Sequence, residues 1–120
     1  MKWILLGTLV LVLSACGNGG SPQVDAEGCV TIHDVICHRA GSVLTEVQGE
    51  ARNLCNRDLR YVKVVAQGYT RQGGTLIGND EEYIMDLHAG DNAFFEALIA
   101  DDAQAITYCR VTVDEAVFGP

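Results

Sequence analysis

The side chains able to do chemistry in this 120-residue chain are few, and their spacing limits what they can do. His33, His38 and His88 are the only imidazoles, and no H-x-H or H-x-x-x-H spacing joins them into a preformed metal site. Ser42, His88 and Asp91 supply the residue types of a hydrolytic triad. No Gly-x-Ser-x-Gly nucleophile elbow accompanies them, and solvated turn residues are the better reading. Asp80-Glu81-Glu82 with Asp86 is the densest group of carboxylates. Calcium loops alternate Asp and Asn at fixed positions, and that alternation is missing here. A charged edge strand, which discourages sheet-to-sheet association, accounts for the group. The sequence is therefore read as that of a non-enzyme, with no catalytic residue, metal ligand or cofactor. The alternative is a metal-dependent or hydrolytic envelope accessory built on the His, Asp and Glu turns.

The remaining reactive groups are five cysteines, and the first of them closes an apolar segment. Lys2 supplies one positive charge, Trp3 to Leu13 is uncharged, and two small residues precede Cys16. That order is a secretory signal peptide, residues 1–15. Eleven residues at ~1.5 Å rise reach about 17 Å, too short to span a ~30 Å hydrocarbon core. Leu13-Ser14-Ala15-Cys16 resembles the lipobox of bacterial lipoproteins. The resemblance implies cleavage before Cys16, a diacylglycerol on its thiol and palmitate-type acylation of the new amino terminus. Two or three acyl chains hold a protein stably at a bilayer. Gly17 does not resemble the aspartate-type signal for inner-membrane retention. The expected address is the cell envelope: the periplasmic face of the outer membrane in a two-membrane host, otherwise the cell surface.

The mature chain keeps 7 basic residues against 16 carboxylates, a formal balance of −9. Such a chain lacks the basic face that nucleic acid requires, and acidic headgroups repel it, so the membrane link rests on the acyl chains. Residues 16–28, rich in Gly, Ser and Pro, read as a flexible tether with an r.m.s. reach of roughly 20 Å.

From Cys29 to residue 120 the pattern is that of strands. Val30-Thr31-Ile32 and Val35-Ile36-Cys37 are β-branched, and residues 38–42 break the run. Val43 to Arg52 alternates Val43, Thr45, Val47, Gly49 and Ala51 with Glu46, Gln48, Glu50 and Arg52, which places charge on a solvent face. Asn53 to Asp58 reads as a polar turn. Tyr61–Tyr69 is the strongest strand, Gly73-Gly74 turns the chain, and Thr75–Gly78 opens a return strand toward Met85. Asn92–Ile99 reads as a strand with a short helix as its alternative, residues 100–104 as a loop, and Ile106–Val113 as the closing strand. Six or seven strands in about 90 residues, with no βαβ alternation, predict an all-β fold: a small antiparallel, immunoglobulin-like β-sandwich.

Four cysteines remain after Cys16. Their spacings of 8, 18 and 54 lack the close pairs of a zinc site, and an exported chain favours disulfides, for which three pairings exist. If residues 29–37 and 43–53 form a hairpin, its open end brings Cys29 toward Cys55 and leaves Cys37 for Cys109. A Cys29–Cys37 bridge would require the segment between them to fold back, since eight extended residues span ~26 Å.

The stretch from about Leu44 to Val113 resembles an FxLYD domain, a small β-sandwich family of bacterial and archaeal lipoproteins and exported proteins. The matching elements are Gly49-Glu50-Ala51-Arg52-Asn53, Asp58 to Val64, Tyr69 with Gly74-Thr75-Leu76-Ile77-Gly78, and Leu87 to Phe95. The chain departs from the pattern where the family takes its name, since Ala66-Gln67-Gly68-Tyr69-Thr70 keeps only the tyrosine. Tyr61 and Phe94 read as core aromatics. The family brings no catalytic residues. The expectation is thus a non-catalytic interaction or structural module of the bacterial envelope, tethered to the bilayer and binding another envelope protein through a sheet edge or face.

Overall fold

A computed structural model describes residues 25–101 and 105–120. The expected signal peptide and lipidated Cys16, the expected tether up to residue 24 and residues 102–104 of the expected loop lie outside them. A 3₁₀ turn, Ala26–Cys29, leads into six strands: β1 (Val30–Arg39), β2 (Leu44–Asn53), β3 (Leu59–Tyr69), β4 (Leu76–Leu87), β5 (Asn92–Ala100) and β6 (Tyr108–Phe118). All pairings are antiparallel. They form two three-stranded sheets, β1-β2-β5 and β4-β3-β6, packed as a β-sandwich.

Alternation explains the strands. Along β2, Thr45, Val47, Gly49, Ala51 and Asn53 are buried, and along β3 so are Val62, Val64, Ala66 and Gly68. In β5 the inward residues are Phe95, Ala97 and Ile99. That period of two resolves the segment as a strand rather than a helix, because a helix would bring only some of these residues to one face. Gly73 (φ 76°) and Gly90 (φ 77°) occupy left-handed positions in the β3–β4 and β4–β5 turns, where a side chain would be strained.

Irregularities in β1 and β6 adjust the alternation. In β1 the register slips between His33 and Ile36, with Asp34 at φ 56°. In β6 the slip opposite Lys63 and Val64 inserts one residue, and the inward side passes from Cys109, Val111 and Val113 to Ala116. The last strand consequently runs to Phe118, beyond the expected end at Val113.

One cluster of the core gathers Val30, Ala51, Leu59, Val62, Val64, Ile84, Leu87, Phe95 and Ala116. The other holds Val47, Ala66, Ala97, Ile99 and Ile106, flanked by Cys37 and Cys109. Each large apolar side chain contributes about 1.5–3 kcal/mol by leaving water. Gly49 makes room for Phe95, since a Cβ there would lie 2.6 Å from the ring's Cζ.

Two sequence expectations are corrected here. The domain begins before Cys29: Ala26 is buried in the core, and the exposed Glu27 accepts a hydrogen bond from the Ala116 amide at its Oε2 at 3.2 Å. Phe94 is not a core aromatic but is 83% exposed, and its neighbour Phe95 takes the interior place because it pairs with Gly49. Tyr61 is half-buried on the outer face of the second sheet.

The four cysteines form two bridges. Cys29 joins Cys55 (Cα–Cα 5.2 Å) at the open end of the β1–β2 hairpin, where Val30 pairs with Asn53. Cys37 joins Cys109 (Cα–Cα 6.0 Å) and ties the edge strand β1 to the edge strand β6 of the other sheet.

Candidate functional site

The residue types of a triad are not brought together. Ser42 sits in the β1–β2 turn, beside the end where Leu44 pairs with Ala100. His88 and Asp91 lie in the β4–β5 turn, beside the end where Arg52 pairs with Asn92. Eight residues of β2 separate the two ends, about 26 Å. His88 Nδ1 instead faces Asp58 Oδ2 at 3.4 Å, both side chains well exposed, and Asp58 Oδ1 accepts the Ala89 amide at 2.9 Å. That amide first, and His88 next, hold the Asp58 carboxyl below the usual range.

The acidic run divides by strand alternation. Glu81 points outward and pairs with Lys63 Nζ at 3.3 Å, while Asp80 Oδ2 accepts the Leu98 amide at 3.0 Å. Glu82 is raised above the usual carboxylate range, by burial first and by Asp80 second. Among the described residues, no three His, Cys, Asp or Glu side chains are placed to hold a metal ion.

Two buried polar residues that sequence reading missed are structural hubs. Asn53, expected in a polar turn, is fully buried. Its Nδ2 donates to the carbonyls of Arg57 (2.8 Å), Leu87 (3.1 Å) and His88 (3.2 Å), and its Oδ1 accepts the Cys55 amide at 3.0 Å. Asp101, read as loop, accepts the Ala105 and Ile106 amides at 3.0 and 2.8 Å and a guanidinium N–H of Arg39 at 3.1 Å. Asn and Asp are common in turns for local reasons, so their types carried no sign of this burial.

What is left exposed on the first sheet is a mixed apolar and acidic face. Register places three cross-strand rows on it: His33–Glu50–Phe94, Ile36–Gln48–Glu96 and His38–Glu46–Leu98. Phe94 (83%), Ile36 (56%) and Leu98 (45%) are exposed on it, with Val35 beside them in the bulge. Between them, His38 Nε2 lies 2.7 Å from Glu46 Oε1, and Gln48 Nε2 donates to Glu96 Oε2 at 3.3 Å. The neighbouring Glu96 carboxyl is the main cause that raises Glu46 above the usual carboxylate range, and Glu46 and then Gln48 hold Glu96 below it. Glu50 is buried beside Arg52, which approaches it to 2.6 Å. A shallow cavity of about 380 Å³ opens among Gln48, Phe94, Phe95 and Glu96.

The fold has a solved counterpart. The chain is similar in structure to a DUF1425 family member from Shewanella sp. pv-4, with a TM-score of 0.54 and 18% identity over 73% of this chain and 79% of that one. At that identity the likeness is one of fold, a small β domain. No protein-family model matches the chain. No curated protein matches it.

Proposed function

We propose that this chain is a lipid-anchored, non-catalytic module of the bacterial cell envelope, of the FxLYD lipoprotein type, that binds another envelope protein through the outer face of its first sheet. The observation that carries the interaction reading is Phe94, an aromatic side chain left in solvent beside Glu50 and Glu96, on the same sheet face as the exposed Ile36 and Leu98. Large aromatics held out of the core and ringed by polar groups are the usual anchors of protein interfaces. The face favours a segment that presents apolar side chains beside Lys or Arg, since its carboxylates outnumber its cations. An edge is the poorer route for strand addition. β1 is bulged, and the Leu98 amide on β5 is already taken by Asp80.

The anchor reading rests on the Leu13-Ser14-Ala15-Cys16 segment and its resemblance to a lipobox. It places the domain beside a bilayer, on the periplasmic face of an outer membrane or on the surface of a single-membrane cell.

Two measurements test the proposal. Cys16→Ala should move the protein from the membrane pellet to the soluble fraction, and unchanged pelleting would remove the lipid anchor. A photo-crosslinker at position 94, in intact envelopes, should capture one protein whose yield falls with Glu96→Lys. Capture no greater than from a crosslinker at position 112, on the other sheet, would rule out this face.

A further inference from the structure

A second site lies on the opposite sheet, where β3 turns into β4 beside the start of β6. Tyr69 pairs across the sheet with Tyr108, and Gln67 with Arg110. The two tyrosine rings stand 6.2 Å apart with their planes tilted by 52°, so they form an open wedge. The Arg110 guanidinium carbon lies 5.9 Å from the Tyr69 ring centre. Gln67 Oε1 accepts hydrogen bonds from the Tyr69 hydroxyl at 3.1 Å and from Arg110 Nη2 at 3.2 Å, which holds ring and guanidinium in place. Tyr69, Tyr108 and Arg110, with Gln72 and Gly73, line a cavity of about 210 Å³.

The walls are held by backbone bonds. Thr70 N donates to Thr75 O at 3.0 Å, Gly74 N to Arg71 O at 2.8 Å, and Thr107 N to Tyr69 O at 3.0 Å. The left-handed Gly73 shapes the turn that borders the wedge.

The charge of Arg110 is the informative part. Among the described residues, Lys63 is matched by Glu81 and Asp114, Arg39 by Asp101 and Arg52 by Glu50, whereas Arg57, Arg60, Arg71 and Arg110 have no carboxylate within 4.0 Å; of these four, Arg110 is the one that lines the tyrosine wedge. Its side chain instead donates to a neutral amide oxygen, that of Gln67. A guanidinium so placed keeps donors for a carboxylate, which it can take in a two-pronged grip. Tyrosine faces beside it suit a ring with a C–H face, and the hydroxyl and amide groups around them suit ring hydroxyls. The cavity is smaller than the ~300 Å³ lower bound of drug-sized pockets, which limits the occupant to a single ring.

We propose that the Tyr69–Tyr108–Arg110 wedge binds an acidic pyranose: a sugar ring stacked on the tyrosines, with its carboxylate on Arg110. The binding is non-covalent and independent of the Phe94 face.

The test is saturation-transfer NMR on the purified full chain with the methyl glycoside of glucuronic acid. Saturable transfer to the sugar's C–H protons is expected, with binding about tenfold weaker for Arg110→Gln and for methyl glucoside, which lacks the carboxylate. Tyr108→Leu should weaken it likewise, while Glu96→Gln on the other sheet leaves it unchanged. Amide spectra of each variant confirm the fold. Absence of transfer, equal binding of methyl glucoside, or binding unaffected by Arg110→Gln would overturn the proposal. Equal competition by acetate would overturn the role of the ring, and tighter binding of benzoate would overturn the sugar.

Discussion

Arg39 and Asp101, 62 residues apart, meet at the end of the first sheet: Arg39 Nη1 donates to Asp101 Oδ2 at 3.1 Å and Nη2 to the Asp101 carbonyl at 2.8 Å. The same guanidinium also donates to Thr45 Oγ1 at 2.7 Å and to the Ser42 carbonyl at 3.1 Å. One side chain thus gathers the β1–β2 turn, β2 and the segment leaving β5. Burial works against ionisation of Asp101, but the Ala105 and Ile106 amides and Arg39 outweigh it and hold its carboxyl below the usual range.

That relationship predicts an acid dependence. A carboxylate whose folded pKa is depressed contributes stability above its unfolded pKa, about 4, and loses it as pH falls through the folded value. Urea midpoints measured from pH 7 to pH 2 should fall below about pH 4. Asp101→Asn should be less stable at pH 7 and show a shallower fall across that window. An identical pH profile in the variant would refute the assignment.

Asn53 predicts a neutral counterpart. Asn53→Ala removes donors to three carbonyls and the acceptor of the Cys55 amide, all at a buried position, and should cost roughly 2–3 kcal/mol in denaturant unfolding. Asn53→Asp keeps the size and the acceptor but cannot donate when ionised, so it should not rescue.

The bridges predict unequal losses. Cys29–Cys55 closes a separation of 26 residues and Cys37–Cys109 one of 72. Chain-entropy reasoning assigns them about 3.5 and 4.4 kcal/mol. The paired variants Cys29→Ser/Cys55→Ser and Cys37→Ala/Cys109→Ala should both lower the melting temperature, the second by more. Non-reducing peptide maps should yield these two cross-linked pairs and no Cys29–Cys37 peptide.

Phe94 and Phe95 predict opposite phenotypes from adjacent residues. Phe94→Ser should change stability by less than about 0.5 kcal/mol, because the ring is in water, yet abolish capture by a photo-crosslinker placed instead at Gln48 on the same face. Phe95→Ala should cost about 3–5 kcal/mol by opening a cavity beside Gly49. Thermal melts of the two variants separate the roles, and a destabilised Phe94→Ser would count against a free binding ring.

Much of the architecture was legible in the chain because its signals are local. Alternation along Val43–Arg52 and Tyr61–Tyr69, with glycine at Gly73 and Gly90, sets strands and turns through the backbone's own period of two. The Cys29–Cys55 pairing followed from the same local geometry, since a hairpin's open end lies opposite its turn.

The tertiary structure alone decided which polar residues went inside and which apolar ones stayed out. Asn53, Asp101 and Arg39 look like turn and surface residues until distant strands deliver their partners. Phe94 and Phe95 are chemically the same, and only the pairing of β5 with Gly49 sends one ring inward and the other into solvent. The Tyr69–Tyr108 wedge exists because antiparallel register sets residues 39 positions apart side by side. Sequence periodicity specifies a strand and its two faces, but cross-strand register is a long-range choice made by packing, and both candidate sites are built from register.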